Sequence, residues 1–159
     1  MNFRTLTLAL AGVLAVAGLG NMPLALAQSP QQVHEARVTA MKDIGANLGK
    51  INQGQKDVAN HPAIVAAATV INNHANNIPS WFPPGSDMVA LPDGGKNHAK
   101  ADIWADKAAF EMLAKNLENE SAAMIRIAAG TDNNAVQDQF KKIGGACGAC
   151  HSKNRAPLQ

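Results

Sequence analysis

The chain has no tyrosine, and its only aromatic residues are four phenylalanines and two tryptophans among 159 residues. No stretch alternates Val, Ile, Thr and aromatics with polar residues, so the signal of half-buried strands is missing and an all-α class follows. Cysteine is confined to Cys147 and Cys150, which leaves no second pair to complete a four-cysteine zinc site. Strong charge of one sign is also missing: without Arg4, the only charged residue before Gln28, 13 of the 14 Lys and Arg remain against 12 Asp and Glu. With no basic stripe to neutralise phosphates, nucleic acid is excluded as a partner. No uninterrupted apolar run reaches the roughly 20 residues that span a bilayer.

The start of the chain indicates where it works. Arg4 precedes an apolar run from Leu6 to Leu19, broken by Gly12 and Gly18, and the stretch ends in Ala25-Leu26-Ala27 before Gln28. This pattern predicts a cleaved secretory signal peptide over residues 1–27 and no membrane anchor. The mature chain would be residues 28–159, which is one domain's worth. Export means that its two cysteines need not stay reduced.

Four segments have helical periodicity. The first opens at Ser29-Pro30, an N-cap followed by a proline where a helix tolerates one, and places Val33, Arg37, Met41, Ile44, Leu48 and Ile51 on one face as far as Asn52 to Gly54. The second opens at Asn60-His61-Pro62 and repeats Ile64, Ala68, Ile71, Ala75 and Ile78 until Pro79 stops it. A third, from about Ala101 to Ala129, spaces Ile103, Phe110, Leu117 and Met124 seven apart, with Gly130 as expected C-cap. The fourth, capped by Thr131 or Asp132, carries Val136, Phe140, Ile143, Cys147 and Cys150 on its seam. The stretch from Pro79 to Ala99 holds Pro83, Pro84, Pro92, Gly85, Gly94 and Gly95 and reads as a long irregular connection. Two short loops and one long one between such helices predict an antiparallel four-helix bundle.

The last helix ends in Cys147-Gly148-Ala149-Cys150-His151, the C-x-x-C-H spacing of covalent c-type haem attachment. Two thiols three residues apart can add to the two vinyl groups on one porphyrin edge, and the next imidazole is then held under the iron. A thioredoxin-like dithiol would want a βαβ context, which is missing; a plain disulfide is the remaining alternative.

Together with this C-terminal motif, Arg37-x-x-x-Met41, Ile78 to Pro83, Asp102-Ile103-Trp104 and Arg155 resemble the cytochrome c-prime (c') family over essentially the whole mature length. The resemblance implies a four-helix bundle with one covalently bound haem c, attached through Cys147 and Cys150 and ligated by His151. It further implies that Met41 decides function. In five-coordinate members an aliphatic or aromatic side chain usually covers the distal face and the iron binds nitric oxide or carbon monoxide. In the low-spin c-556 branch, which Met41-Lys42-Asp43-Ile44-Gly45 resembles, a methionine ligates the iron. Asn154 stands where many members have an aromatic residue before the arginine.

Each residue also has a plainer role. Met41 could be a flexible core filler. Arg37 faces inward and needs an anionic partner, either a haem propionate or, at the surface, Glu35. Arg155, one turn beyond His151, can pack beside the imidazole or complement the helix C-terminus. His34 is expected about two turns from Met41, His61 at a helix start, and His74 and His98 in solvent. Trp81, Phe82 and Trp104 are expected as packing near the haem and the long connection. The leading expectation is a periplasmic, non-enzymatic electron carrier with His151 and Met41 on the iron, serving periplasmic or membrane-bound redox proteins. It could also form a homodimer through its first two helices. The alternative is a five-coordinate gas binder; peroxidase-like catalysis would need a distal acid-base residue, and only Arg37 is in evidence.

Overall fold

A computed structural model describes residues 28–86 and 97–157. The expected signal peptide and the middle of the long connection lie outside these residues. The described residues form five α-helices and no named strand: α1 (Pro30–Gly54), α2 (His61–Asn77), α3 (Asp102–Ala105), α4 (Lys107–Ala128) and α5 (Asn133–Asn154). Short 3-10 turns at Val58–Asn60 and Ile78–Trp81 flank α2.

The helix boundaries follow from side-chain chemistry. Ser29 and Gln32 form a reciprocal capping box at the start of α1, with Pro30 in the first turn. At the other end Gly54 lies so close to α2 that an added Cβ would sit 3.2 Å from both Asn60 Cβ and Ile64 Cγ1, which is why a glycine ends this helix. Asp132, one of the two candidate caps, accepts from the backbone N–H of Asn134 and Ala135.

The expected third helix is in fact two. Asp106 leaves helical geometry (φ −131°, ψ 65°), ending α3 and capping α4 through the N–H of Ala109. Ile103 and Phe110 both stay buried across this break. The C-cap of α4 is Ala129 rather than Gly130, which lies one residue further on.

The apolar stripes meet as the periodicity requires. Ile64, Ala68, Ile71 and Ala75 of α2 and Ile78 just after it are all buried, as are Phe110, Leu117 and Met124 of α4 and Val136 and Ile143 of α5. Burial of each large aliphatic side chain contributes about 1.5–3 kcal/mol relative to exposure. Alanines on α2 let α4 approach, and α2 and α4 form the most extensive helix pair. Helix α1 packs on α2, and α5 packs on α4. Helices α1 and α5 have no comparable mutual packing, so the bundle stays open between them. That gap is where the site lies.

Candidate cofactor site

A cavity of about 640 Å³ lies between α1, α4 and α5. Ile44 and Leu48 of α1 and Phe110, Leu113, Ala114 and Leu117 of α4 give it an apolar wall. All six sequence-predicted site residues line it: Arg37 and Met41 from α1, and Cys147, Cys150, His151 and Arg155 from α5 and its C-cap. Met41 is half-buried and packs against the core. His151 is also half-buried.

The two thiols are free, which does not match a disulfide. Residues three apart on a helix have Cβ atoms about 5–6 Å apart, beyond the roughly 3.5–4.5 Å a disulfide needs. Burial pushes both thiols above their ordinary pKa, with Cys150 adding to the effect on Cys147. They are therefore neutral at pH 7, unlike an activated redox thiolate. Among the described residues no group of three or more His, Cys, Asp and Glu could hold a metal ion. Burial lowers the pKa of His151, and Arg155 lowers it further. A neutral imidazole is the form that can bind iron.

Arg37 is 5 % exposed. It donates to Asn97 Oδ1 (3.1 Å) and to the Trp81 carbonyl (3.5 Å), lies 3.0 Å from His34 Nδ1, and has its guanidinium carbon 4.5 Å from the centroid of Phe82. None of these partners is anionic. The surface ion pair with Glu35 is not formed, since Glu35 accepts from Gln31 instead. Burial lowers the pKa of Arg37, but a guanidinium keeps its charge in a protein.

The remaining histidines differ in part from expectation. His34 lines the same cavity, on Arg37. His61 does open α2, but it is buried between the Gly130 carbonyl (2.7 Å) and Asn133 Oδ1 (2.8 Å). His74 is not simply solvated: it pairs with Asp43 at 2.8 Å and meets Trp81 edge-on. His98 is half-buried at the cavity and its carbonyl accepts from Ala156 N–H at 2.7 Å. Phe82 stacks edge-to-face with Trp104 and Phe110, so the expected aromatic packing is present beside the site.

The segment carrying Asn97 and His98 was not assigned to the site by its sequence. It is clipped to α5 by an isolated Ala99–Arg155 bridge and by Lys100 N–H donating to the Asn154 carbonyl at 2.9 Å. A loop residue has no periodicity to betray it, though the long connection itself was the signal.

The sequence profile of the cytochrome c' family matches residues 32–155. The chain belongs to the cytochrome c' family. Cytochrome c' from Allochromatium vinosum is 29 % identical over 92 % of this chain and 94 % of that protein. Cytochrome c-554 from Cereibacter sphaeroides is 34 % identical (82 % and 87 % covered), and cytochrome c-556 from Agrobacterium tumefaciens 33 % (76 % and 94 %). Among solved structures, cytochrome c' from Thermochromatium tepidum superposes with a TM-score of 0.73 at 30 % identity, covering 82 % of this chain and 98 % of that one. Another, a cytochrome c' described as having ligand-controlled dimer dissociation, superposes at 0.75 with 27 % identity over 82 % and 99 %.

The cytochrome c' bundle and its covalent haem c are therefore those of this chain. The site suits that group chemically: a large apolar cavity, two neutral thiols on one wall, a neutral imidazole beside them, and a buried cation with no counter-anion among the described residues. Members of the family transfer electrons or bind gases.

Proposed function

We propose that this protein is an exported single-electron carrier in which Cys147 and Cys150 would hold the haem, and His151 and Met41 would ligate its iron. The observation that carries this reading is that Met41 and His151 line one cavity from α1 and α5, the two helices that do not close on each other.

When bound, the haem supplies a one-electron ferric–ferrous couple. The protein residues set its conditions. The two thioether links fix position, and His151, following Cys150 directly, is held next to the attachment edge. The soft thioether of Met41 favours the ferrous state and raises the reduction potential. Ile44, Leu48, Leu113 and Leu117 exclude water and keep the local dielectric low. Arg37, buried and with no acidic partner among the described residues, compensates a propionate. The reading assigns no catalytic residue.

Among the described residues no helix is long and apolar enough to cross a membrane. The leader expected over residues 1–27 supports a periplasmic carrier working between periplasmic or membrane-bound redox proteins. The dimer behaviour described for one relative supports testing for a homodimer here.

A second reading, a five-coordinate gas binder, rests on the packing of Met41 against the core, as a distal cover would pack. Carbon monoxide binding to the reduced protein separates the two. If the thioether must leave first, the wild type binds slowly and Met41→Ala binds much faster. Equal rates would favour the gas binder.

A further inference from the structure

Asn154 occupies the last turn of α5, three residues after His151, so the two lie on adjoining parts of one helix face. It is 4 % exposed and lines the same cavity as Cys150 and His151. Its amide nitrogen donates to the Cys150 carbonyl at 3.2 Å and lies 3.8 Å from Cys150 Sγ. A carbonyl can only accept, so the orientation of the amide is settled: nitrogen toward Cys150, oxygen away from it. That oxygen, Oδ1, is buried and has no hydrogen-bond partner among the described residues. A buried acceptor without a donor is costly and rare, and it calls for a donor that completes the site.

The donor that haem binding brings is the imidazole of His151. A histidine that ligates a metal through one ring nitrogen presents an N–H on the other, and that N–H is ordinarily held by an acceptor which fixes the ring plane and makes the ligand more basic. We propose that Asn154 is a positioning residue for His151, its side-chain oxygen accepting the hydrogen bond from the imidazole nitrogen not used on the iron. The proposal rests on the reading of His151 as the proximal ligand. Such a bond gives the imidazole partial negative character, which favours ferric iron. Asn154 thereby offsets part of the rise in potential that Met41 brings.

The plainer role of Asn154 is a cap for the C-terminal carbonyls of α5, and two substitutions separate the roles. Asn154→Leu removes both acceptor and donor. Asn154→Asp keeps an acceptor but loses the donor to Cys150. The assay is nuclear magnetic resonance of the intact holoprotein, labelled with ¹⁵N-histidine, in the diamagnetic ferrous carbon-monoxide form, with the reduction potential measured beside it.

In all three proteins the His151 ring protons should carry the large ring-current shift of a haem ligand. Its ring N–H should exchange with solvent about 10-fold faster in Asn154→Leu, the factor expected from losing one hydrogen bond, and near the wild-type rate in Asn154→Asp. The potential of Asn154→Leu should be higher than that of the wild type. Equal exchange in wild type and Asn154→Leu, with the ring-current shift present, overturns the proposal. Equally fast exchange in both variants overturns it in favour of a helix cap. A missing ring-current shift in the wild type shows instead that His151 is not on the iron, and the ligand reading falls with the proposal.

Discussion

Replacing Arg37 by leucine tests whether this buried cation, which has no acidic partner among the described residues, serves the haem. Arg37 lies four residues before Met41 on α1, about 6 Å along the helix axis at 1.5 Å per residue. With the lateral offset of a side chain, its charge stands about 10 Å from the level of the iron. Coulomb's law at an effective dielectric constant of about 20 gives about 1.7 kcal/mol at that distance. At 59 mV per tenfold change for one electron, this corresponds to about 70 mV. Neutralisation by a propionate reduces the effect, so a fall of about 20–70 mV is expected. The sign is fixed because a positive charge stabilises the electron-richer ferrous state. Arg37→Leu should therefore lower the potential, and Arg37→Lys should keep most of it. The assay is a spectroelectrochemical titration, with circular dichroism to establish that α1 remains folded. An unchanged or higher potential in Arg37→Leu would refute the reasoning and leave Arg37 as a structural link between Asn97, Trp81 and Phe82.

Cys147→Ala combined with Cys150→Ala should release the haem into acid-acetone and leave a poorly folded bundle, because the gap between α1 and α5 loses its apolar filling; haem still retained after extraction would contradict covalent attachment through these thiols. Asp106 predicts a pH dependence. Its carboxyl is held below the ordinary carboxylate range, first by the Ala109 N–H and then by Lys153. Its stabilising contribution is thus present above the ordinary carboxylate pKa and lost as pH falls through the depressed one. Asp106→Asn should flatten the acid limb of the thermal-unfolding profile, and an unchanged limb would remove this cap from the account.

Much of the bundle was legible because heptad spacing reports directly on burial. The α2 stripe from Ile64 to Ile78 and the α4 positions Phe110, Leu117 and Met124 are buried as their spacing requires. The break at Asp106 was not legible from that pattern, since Ile103 and Phe110 keep their seven-residue spacing across it. Propensity offered the missing signal: aspartate competes for backbone N–H groups and is a favoured N-cap. The six site residues converge on one cavity because four of them lie on helix faces that periodicity defines, while His151 directly follows Cys150 and Arg155 is the C-cap of α5. Asn97 and His98 reach the cavity from a loop, where side-chain direction depends on local hydrogen bonds to Arg37, Ala99 and Ala156. Buried Gln139 was equally hidden, because its burial depends on bonds to the Glu120 carbonyl and carboxylate on α4.

The central claim is that Met41 would ligate the iron together with His151. Its most direct measurement is the electronic spectrum of the oxidised and reduced wild type beside Met41→Ala at neutral pH. Thioether ligation predicts sharp, split visible bands when reduced, a weak sulfur-to-iron charge-transfer band in the near infrared when oxidised, and conversion to high spin in Met41→Ala. A wild type that is already high spin and indistinguishable from Met41→Ala would contradict the account and make this chain a five-coordinate gas binder.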